Sequence, residues 1–238
     1  MKKAIVIGAS SGIGRETAKL LLKNGYKVGV TGRRINLLTD LQHEFGQLCV
    51  AKQMDITLFE NTISTLTALV QELGGLDLLI LSSGTGEINK ELNFDIEQAT
   101  CQTNVLGFTN IIDWTMNYFI AQQSGHLVAI SSIAGLRGNK DAPAYNASKA
   151  YQINYIEGLR QKACSLKLPI TITDIRPGFV DTDMAKGDGK FWVATTEKAC
   201  KQIVKAINAK REIVYVSKRW KLIAILFKIL PNFIYKRI

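Results

Sequence analysis

Ser132, Tyr145 and Lys149 fall in one short stretch, "SSIAGLRGNKDAPAYNASKA", Ser131 to Ala150. A hydroxyl, a phenol and an amine are the groups a proton-transfer site needs. A lysine ammonium beside a phenol favours the phenolate and lowers its pKa from about 10 towards neutrality. Tyr145 would then give a proton to a developing alkoxide, or take one from an alcohol, near pH 7, with Ser132 orienting the substrate oxygen. Tyr–Lys pairs four residues apart also occur on ordinary solvated helix faces, so spacing alone leaves both readings open. A second constellation is "GASSGIGR", where Gly8, Gly12 and Gly14 would let the backbone turn tightly against a pyrophosphate at the start of a helix.

Stepping outward, apolar runs alternate with helical patterns. "KKAIVIG", "YKVGVTG", "LCVAKQMD", "LDLLILSS", "HLVAISS", "ITITDIRPG" and "EIVYVS" predict seven short strands, several apolar enough to be buried on both faces. Stretches such as "RETAKLLLKNG" and "LFENTISTLTALVQELG" predict helices between them. The alternation implies an α/β fold: a doubly wound, mostly parallel sheet with helices on both faces, a three-layer sandwich formed by a single domain over 1–238. Ligands of such sheets bind at the carboxyl ends of the strands, where the glycine turn, Ser132 and the helix beginning near Pro143 are all placed.

At the end of the second strand, "VTGRR" has Gly32 where an NAD-selective site would hold a carboxylate against the ribose 2′-hydroxyl. Arg33 and Arg34 follow, and a guanidinium fork suits a phosphate dianion, so NADP(H) is expected over NAD(H), with Arg33 the stronger candidate. Asp55 in "MDIT" either accepts from the adenine amino group or caps a helix; both remain open.

The assembled motifs resemble those of the short-chain dehydrogenase/reductase family over essentially the whole chain. The carriers are "GASSGIG", "SSIAG", "YNASK" for YxxxK, "RPGFVDTDM" for the PG segment, and "TNVLG". The resemblance implies a Rossmann fold and a catalytic tetrad of Asn104, Ser132, Tyr145 and Lys149. Asn104 would distort its helix and keep a backbone carbonyl free for a water linking Lys149 to solvent protons. Lys149 would also hold the nicotinamide ribose. The implied cofactor-binding set is Gly8, Ser10, Ser11, Gly12, Ile13, Gly14, Arg33, Arg34, Asp55, Ile56, Ser83, Gly84, Tyr145, Lys149, Pro177, Gly178, Val180 and Thr182, and the substrate is held by Ser132 and Tyr145. In the PG segment, Gly178 would permit close approach, while the Val180 N–H and Thr182 hydroxyl meet the carboxamide. A homodimer or homotetramer through the helices beginning near Phe94 and Tyr145 is likewise implied. One departure stands out: where the family shows NNAG, this chain has Leu81, Ser82, Ser83 and Gly84.

Composition narrows the alternatives. The four cysteines are widely spaced and accompany only two histidines, which argues against a metal cage and predicts buried, reduced thiols in a cytoplasm. The apolar run at the N-terminus is too short for a signal peptide. The net charge of +10 is concentrated from Lys210 to Ile238, with eight Lys/Arg against one Glu. The basic, apolar segment 218–238 reads as a helical tail that packs on the pocket or a partner subunit, or lies in a membrane interface. Nucleic acid is not expected, since no aromatic-basic groove accompanies the charge. Segment 183–198 reads as a substrate flap, with Gly187 and Gly189 as hinges and Met184, Phe191, Trp192 and Val193 as apolar cover for a lipophilic ketone. The expected activity is NADPH-dependent reduction of a ketone, reversible to alcohol oxidation. The competing expectation is a non-catalytic NADP-binding protein that recruits a partner or membrane through its tail.

Overall fold

The computed structural model describes residues 1–184 and 191–237. Gly187 and Gly189, the expected flap hinges, lie outside the described residues. The chain alternates strictly through β1 (Lys3–Ile7), α1 (Gly12–Lys23), β2 (Lys27–Gly32), α2 (Ile35–Phe45), β3 (Cys49–Gln53), α3 (Phe59–Leu73) and β4 (Leu78–Leu81). It continues through α4 (Phe94–Cys101), a π-helical turn (Gln102–Gly107), α5 (Phe108–Ala121), β5 (Gly125–Ile130), a 3-10 turn (Ile133–Leu136) and α6 (Pro143–Ser165). Then come β6 (Ile170–Pro177), α7 (Thr196–Asn208), β7 (Ile213–Val216), α8 (Trp220–Ile229) and α9 (Asn232–Tyr235). All seven predicted strands are present.

The strands form one parallel sheet in the order β3-β2-β1-β4-β5-β6-β7. This is the doubly wound Rossmann arrangement, and its order reverses between β1 and β4, where such sheets open a ligand crevice. Side chains alternate across each strand and so feed two cores. Ala4, Val6, Leu78, Ile80, Val128 and Ile130 pack on one side, Ile5, Ile7, Leu79, Leu81, Leu127 and Ala129 on the other. Both faces being covered by helices explains why these strands read as continuous apolar runs.

Register brings the functional loops together. Ile7 pairs with Leu81, and the Ser82 amide donates to the Ile7 carbonyl at 2.8 Å, so the loops after β1 and β4 emerge side by side. A Cβ added at Gly8 (φ +85°) would come 2.7 Å from the Ser83 nitrogen, and one at Gly14 would come 2.2 Å from the Gly8 carbonyl oxygen. The first glycine thus lets the two loops touch, and the last lets α1 close on β1.

The cysteines divide. Cys49 and Cys200 are buried, whereas Cys101 and Cys164 are exposed on helices, correcting the expectation of four core thiols; all four are free. Burial pushes the Cys49 thiol up to about 12 and Cys200 to about 11, so these two are inert near neutral pH.

Candidate active site

The expected catalytic residues converge because three tight contacts lock their elements together. Ser132 lies two residues past β5 and caps the 3-10 turn, its Oγ accepting from the Ala134 amide at 3.1 Å. A Cβ at Gly135 would come 2.5 Å from the Lys149 backbone, so only glycine lets this turn lie against α6. Asn146 completes the lock, its Nδ2 donating to the carbonyls of Ala134 (2.8 Å) and Arg137 (2.9 Å). Pro143 at the first position of α6 begins the helix with a residue whose missing N–H costs nothing there. On that helix, the Lys149 Nζ lies 5.8 Å from the Tyr145 ring centroid, and Ser132 hydrogen-bonds the phenol.

Asn104 sits in the π-helical turn that joins α4 to α5 and is fully buried. Its side chain accepts from the Thr85 amide (2.9 Å) and donates to the Thr85 carbonyl (2.7 Å) and to Ser148 Oγ (3.0 Å). Ser148 in turn donates to the Tyr145 carbonyl at 2.7 Å. The loop after β4 is therefore stapled across the tetrad. A Cβ at Gly86 would strike the Tyr145 ring at 2.4 Å, and one at Gly84 would lie 3.5 Å from Lys149 Nζ.

Two features depart from the expected electrostatics. The Asn104 carbonyl accepts from Gln152 Nε2 at 2.9 Å, and Gln152 Oε1 accepts from Lys149 Nζ at 3.0 Å. A buried amide thus joins the Asn104 carbonyl to the Lys149 ammonium directly, occupying one of that carbonyl's two acceptor sites. Burial pushes Tyr145 above its ordinary value, with the Ser132 hydrogen bond opposing it, while the ammonium is spent on the Gln152 amide and the Ile130 carbonyl (3.2 Å). Burial likewise lowers Lys149 to about 8, against the pull of the Asp174 carboxylate. Asp174 is held in β6 by a buried ion pair with Arg176 Nε (2.6 Å) and by the Ser131 hydroxyl. Asp174 and Arg176 share a strand face at i, i+2, the one signal in the sequence that would have found the pair.

At the glycine turn, Gly8 and Gly12 both hold positive φ, and Thr182 faces Gly12, whose added Cβ would lie 3.2 Å from Thr182 Cγ2. Ser10, Ser11, Arg15, Asp181 and Thr182 line one cleft, so the PG segment and the glycine turn are its two walls. Ile13 packs on the adjacent core and Ile56 is buried beside the π-helical turn. A Cβ at Gly32 would lie 3.3 Å from Ser10 Oγ, so the side-chain-free position leaves room for that serine. Arg34, rather than Arg33, reaches it, with Nη2 donating to Ser10 Oγ (3.1 Å) and Ser11 Oγ (2.7 Å). Arg33 is exposed and its carbonyl accepts from Gln53. Asp55 Oδ1 accepts from the Thr57 amide (3.0 Å) and hydroxyl (2.8 Å), a turn contact akin to the capping alternative.

In the PG segment the close approach at Gly178 comes from within the chain. A Cβ there would meet the Trp220 indole at 2.2 Å. Trp220, the first residue of α8, is 2% exposed, and its Nε1 has no hydrogen-bond partner. Phe179 and Phe191 pack on the indole at centroid distances of 5.5 and 4.9 Å. Val180 is buried and bridges to Ala194, and the Thr182 hydroxyl donates to the Val180 carbonyl at 3.3 Å. Met184, Trp192 and Val193 are exposed. Sequence reasoning placed Trp220 in the tail without linking it to Gly178, because the contact joins distant positions.

A dinucleotide-binding fold with a Ser–Tyr–Lys–Asn site at its strand ends defines the class. The family model "short chain dehydrogenase" matches residues 2–192, and the chain belongs to that oxidoreductase family. An uncharacterized oxidoreductase of Myxococcus xanthus (strain DK1622) is 34% identical over 188 residues, covering 77% of this chain and 74% of the relative. The closed form of a serine dehydrogenase complexed with NADP+ superposes with a TM-score of 0.81 at 22% identity, covering 90% of this chain and 94% of that one. A short-chain dehydrogenase/reductase from Burkholderia phymatum in complex with NAD gives 0.84 at 18% identity, with 94% and 92% covered. These two likenesses concern the fold, so the choice between cofactors has to be argued from the residues of this chain.

Proposed function

We propose that this chain is an NADPH-dependent carbonyl reductase, reversible as an alcohol dehydrogenase. The observation that carries the reading is the convergence of Ser132, Tyr145, Lys149 and Asn104 in a sheet whose first strand leads through a glycine turn into α1. A pure binding module has no use for a phenol–ammonium pair enclosed in this way.

The residues of the cleft fit a phosphorylated dinucleotide. Gly8, Gly12 and Gly14 bring backbone N–H groups to the start of α1, where anions are favoured. Ser10, Ser11, Arg15 and Arg34 would hold the adenosine phosphates, with Arg33 exposed beside them. Gly32 removes the carboxylate that would repel a 2′-phosphate, which supports NADP(H) over NAD(H). Asp55, Ile56, Ser83 and Gly84 would line the adenosine and ribose side, and Pro177, Gly178, Val180 and Thr182 the nicotinamide side. When bound, the cofactor supplies or accepts the hydride. Tyr145, kept protonated by burial, holds the proton at its phenol oxygen for the substrate oxygen. Ser132 orients that oxygen, and Lys149 supplies positive charge beneath the phenol. Gln152 fixes the Lys149 ammonium and connects it to the Asn104 carbonyl. The aromatic cluster of Phe179, Phe191 and Trp220 packed on Gly178 supports a lipophilic ketone or secondary alcohol as the substrate class. We place a homodimer contact on the α4–α6 face, where Phe94 and Leu106 are exposed, and expect the working protein in the cytoplasm.

The test is loss of NADPH absorbance, with NADH in parallel, across ketones, aldehydes and quinones of graded chain length. Turnover favouring NADPH and long apolar ketones is expected, with Arg34→Ala narrowing the NADPH preference about tenfold or more, as loss of a charge-assisted phosphate contact implies. Silence across a broad panel despite tight NADPH binding would contradict the enzymatic reading.

A further inference from the structure

Helix α8 is apolar on two opposite faces. Trp220 and Ala224 are 2% and 1% exposed and form the face packed on the body of the protein. Leu222, Ile225, Leu226 and Ile229 follow the i, i+3, i+4, i+7 spacing of one continuous stripe and are 65%, 47%, 46% and 71% exposed. At 100° per residue this stripe is centred opposite the Trp220–Ala224 face, where a surface helix ordinarily presents polar groups. Phe233 and Ile234 of α9 extend the exposed apolar surface.

The stripe is held in a defined orientation. Arg137 Nη1 donates to the carbonyls of Phe227 (3.1 Å) and Leu230 (3.0 Å), so a guanidinium caps the C-terminal end of α8. Its Nη2 donates to Asn232 Oδ1 at 2.9 Å, and its Cζ lies 4.2 Å from the Tyr235 ring centroid. Arg137 belongs to the loop between Ser132 and Tyr145. The outer face therefore cannot turn inward without breaking contacts next to the active site.

Every charged side chain that α8, α9 and their flanks carry is positive. Lys218, Arg219, Lys221, Lys228, Lys236 and Arg237 are exposed, none enters an ion pair among the described residues, and segment 213–238 holds no Asp or Glu. A second copy docked through this face about a twofold axis would set six cations against six. An anionic surface meets the opposite situation, with apolar side chains inserted among acyl chains and ammonium and guanidinium groups on the phosphates. Among the described residues no helix is long and apolar enough to cross a membrane, so the geometry is one of lying on the surface.

We infer that α8 and α9 form a docking face for an anionic phospholipid bilayer, with Leu222, Ile225, Leu226 and Ile229 inserted and Lys221 and Lys228 on the headgroups. The opposite face of the same helix carries Trp220 over Gly178, so docking sets the Phe179–Phe191–Trp220 cluster close to the lipid.

The experiment is co-sedimentation of the full chain with vesicles of phosphatidylcholine alone or mixed with phosphatidylglycerol. Strong binding is expected only to the mixed vesicles, weakening steeply with salt. Lys221→Gln with Lys228→Gln should weaken it by about thirtyfold, each cation near such a surface contributing roughly fivefold. Leu222→Ser with Ile225→Ser and Ile229→Ser should weaken it at least tenfold; these side chains are exposed, so the fold and NADPH binding should survive. Absence of binding to the mixed vesicles, or binding unchanged in both variants, would overturn the proposal. So would a serine variant that dissociates an oligomer in the ultracentrifuge while leaving sedimentation unchanged, since the face would then belong to a second copy.

Discussion

At the scale of single residues, the site turns on burial more than on the sequence spacing of Tyr145 and Lys149. The spacing places both side chains on one face of α6, but it carries no information on depth, and depth decides the electrostatics. Closed in by Gly86 and the loop after β4, the phenol is pushed up, and the lysine falls to about 8. In the proposed reduction the phenol is protonated over a charged lysine, so the rate should fall as pH rises through about 8, when Lys149 loses its proton. Gln152→Leu removes an acceptor that stabilises the ammonium, and the pH limb should then move to lower pH. A kcat that drops with the limb unmoved would reduce Gln152 to packing. The sequence shows Gln152 three residues after Lys149, yet nothing in it says that the amide lies in the protein interior facing the Asn104 carbonyl.

Among the elements, strands and most helix limits were legible because hydrophobic period and turn chemistry agree. Seven apolar runs became seven parallel strands, α1 stops at Asn24-Gly25, and the helix after Gly135 starts at Pro143. What was not legible is tertiary: Arg34 rather than Arg33 on the serines, and Trp220 rather than open space at Gly178. An indole 2.2 Å from a would-be Cβ admits no methyl group without displacement. Gly178→Ala should therefore cost on the order of 1–3 kcal/mol by overpacking. Trp220→Ala should cost about 3–5 kcal/mol by cavity formation. Urea unfolding monitored at matched pH checks both, and Gly178→Ala with Trp220→Ala should be less than additive because the two side chains share one contact.

For the whole molecule, the sheet also carries a pH dependence unrelated to the site. His126 in β5 is lowered to about 4, by burial first and then by the Lys210 and Lys2 charges. Thr173 Oγ1 donates to the Arg211 carbonyl at 2.6 Å, so it accepts from His126 Nε2 at 2.8 Å, and the folded ring is neutral. As pH falls below about 6.5 the unfolded chain takes up a proton that the folded ring refuses until about 4. Stability is therefore lost across that window, by at most about 3 kcal/mol and less for the ring's partial exposure. His126→Gln should flatten this part of the acid slope in urea midpoints measured between pH 7 and 4; an unchanged slope would place the loss on carboxylates. At the same scale, the excess charge legible in the tail has a shape in three dimensions: it flanks an outward apolar stripe on a helix whose inner face packs Trp220 against Gly178. The account as a whole rests on Tyr145 as the proton donor, so the decisive measurement is turnover of Tyr145→Phe beside its NADPH affinity, once a reducible carbonyl is in hand. The account predicts affinity close to that of the parent chain and a rate lower by at least the ~10²–10⁴ typical of acid–base catalysis. A variant that binds NADPH and reduces the same carbonyl at the parent rate would contradict it.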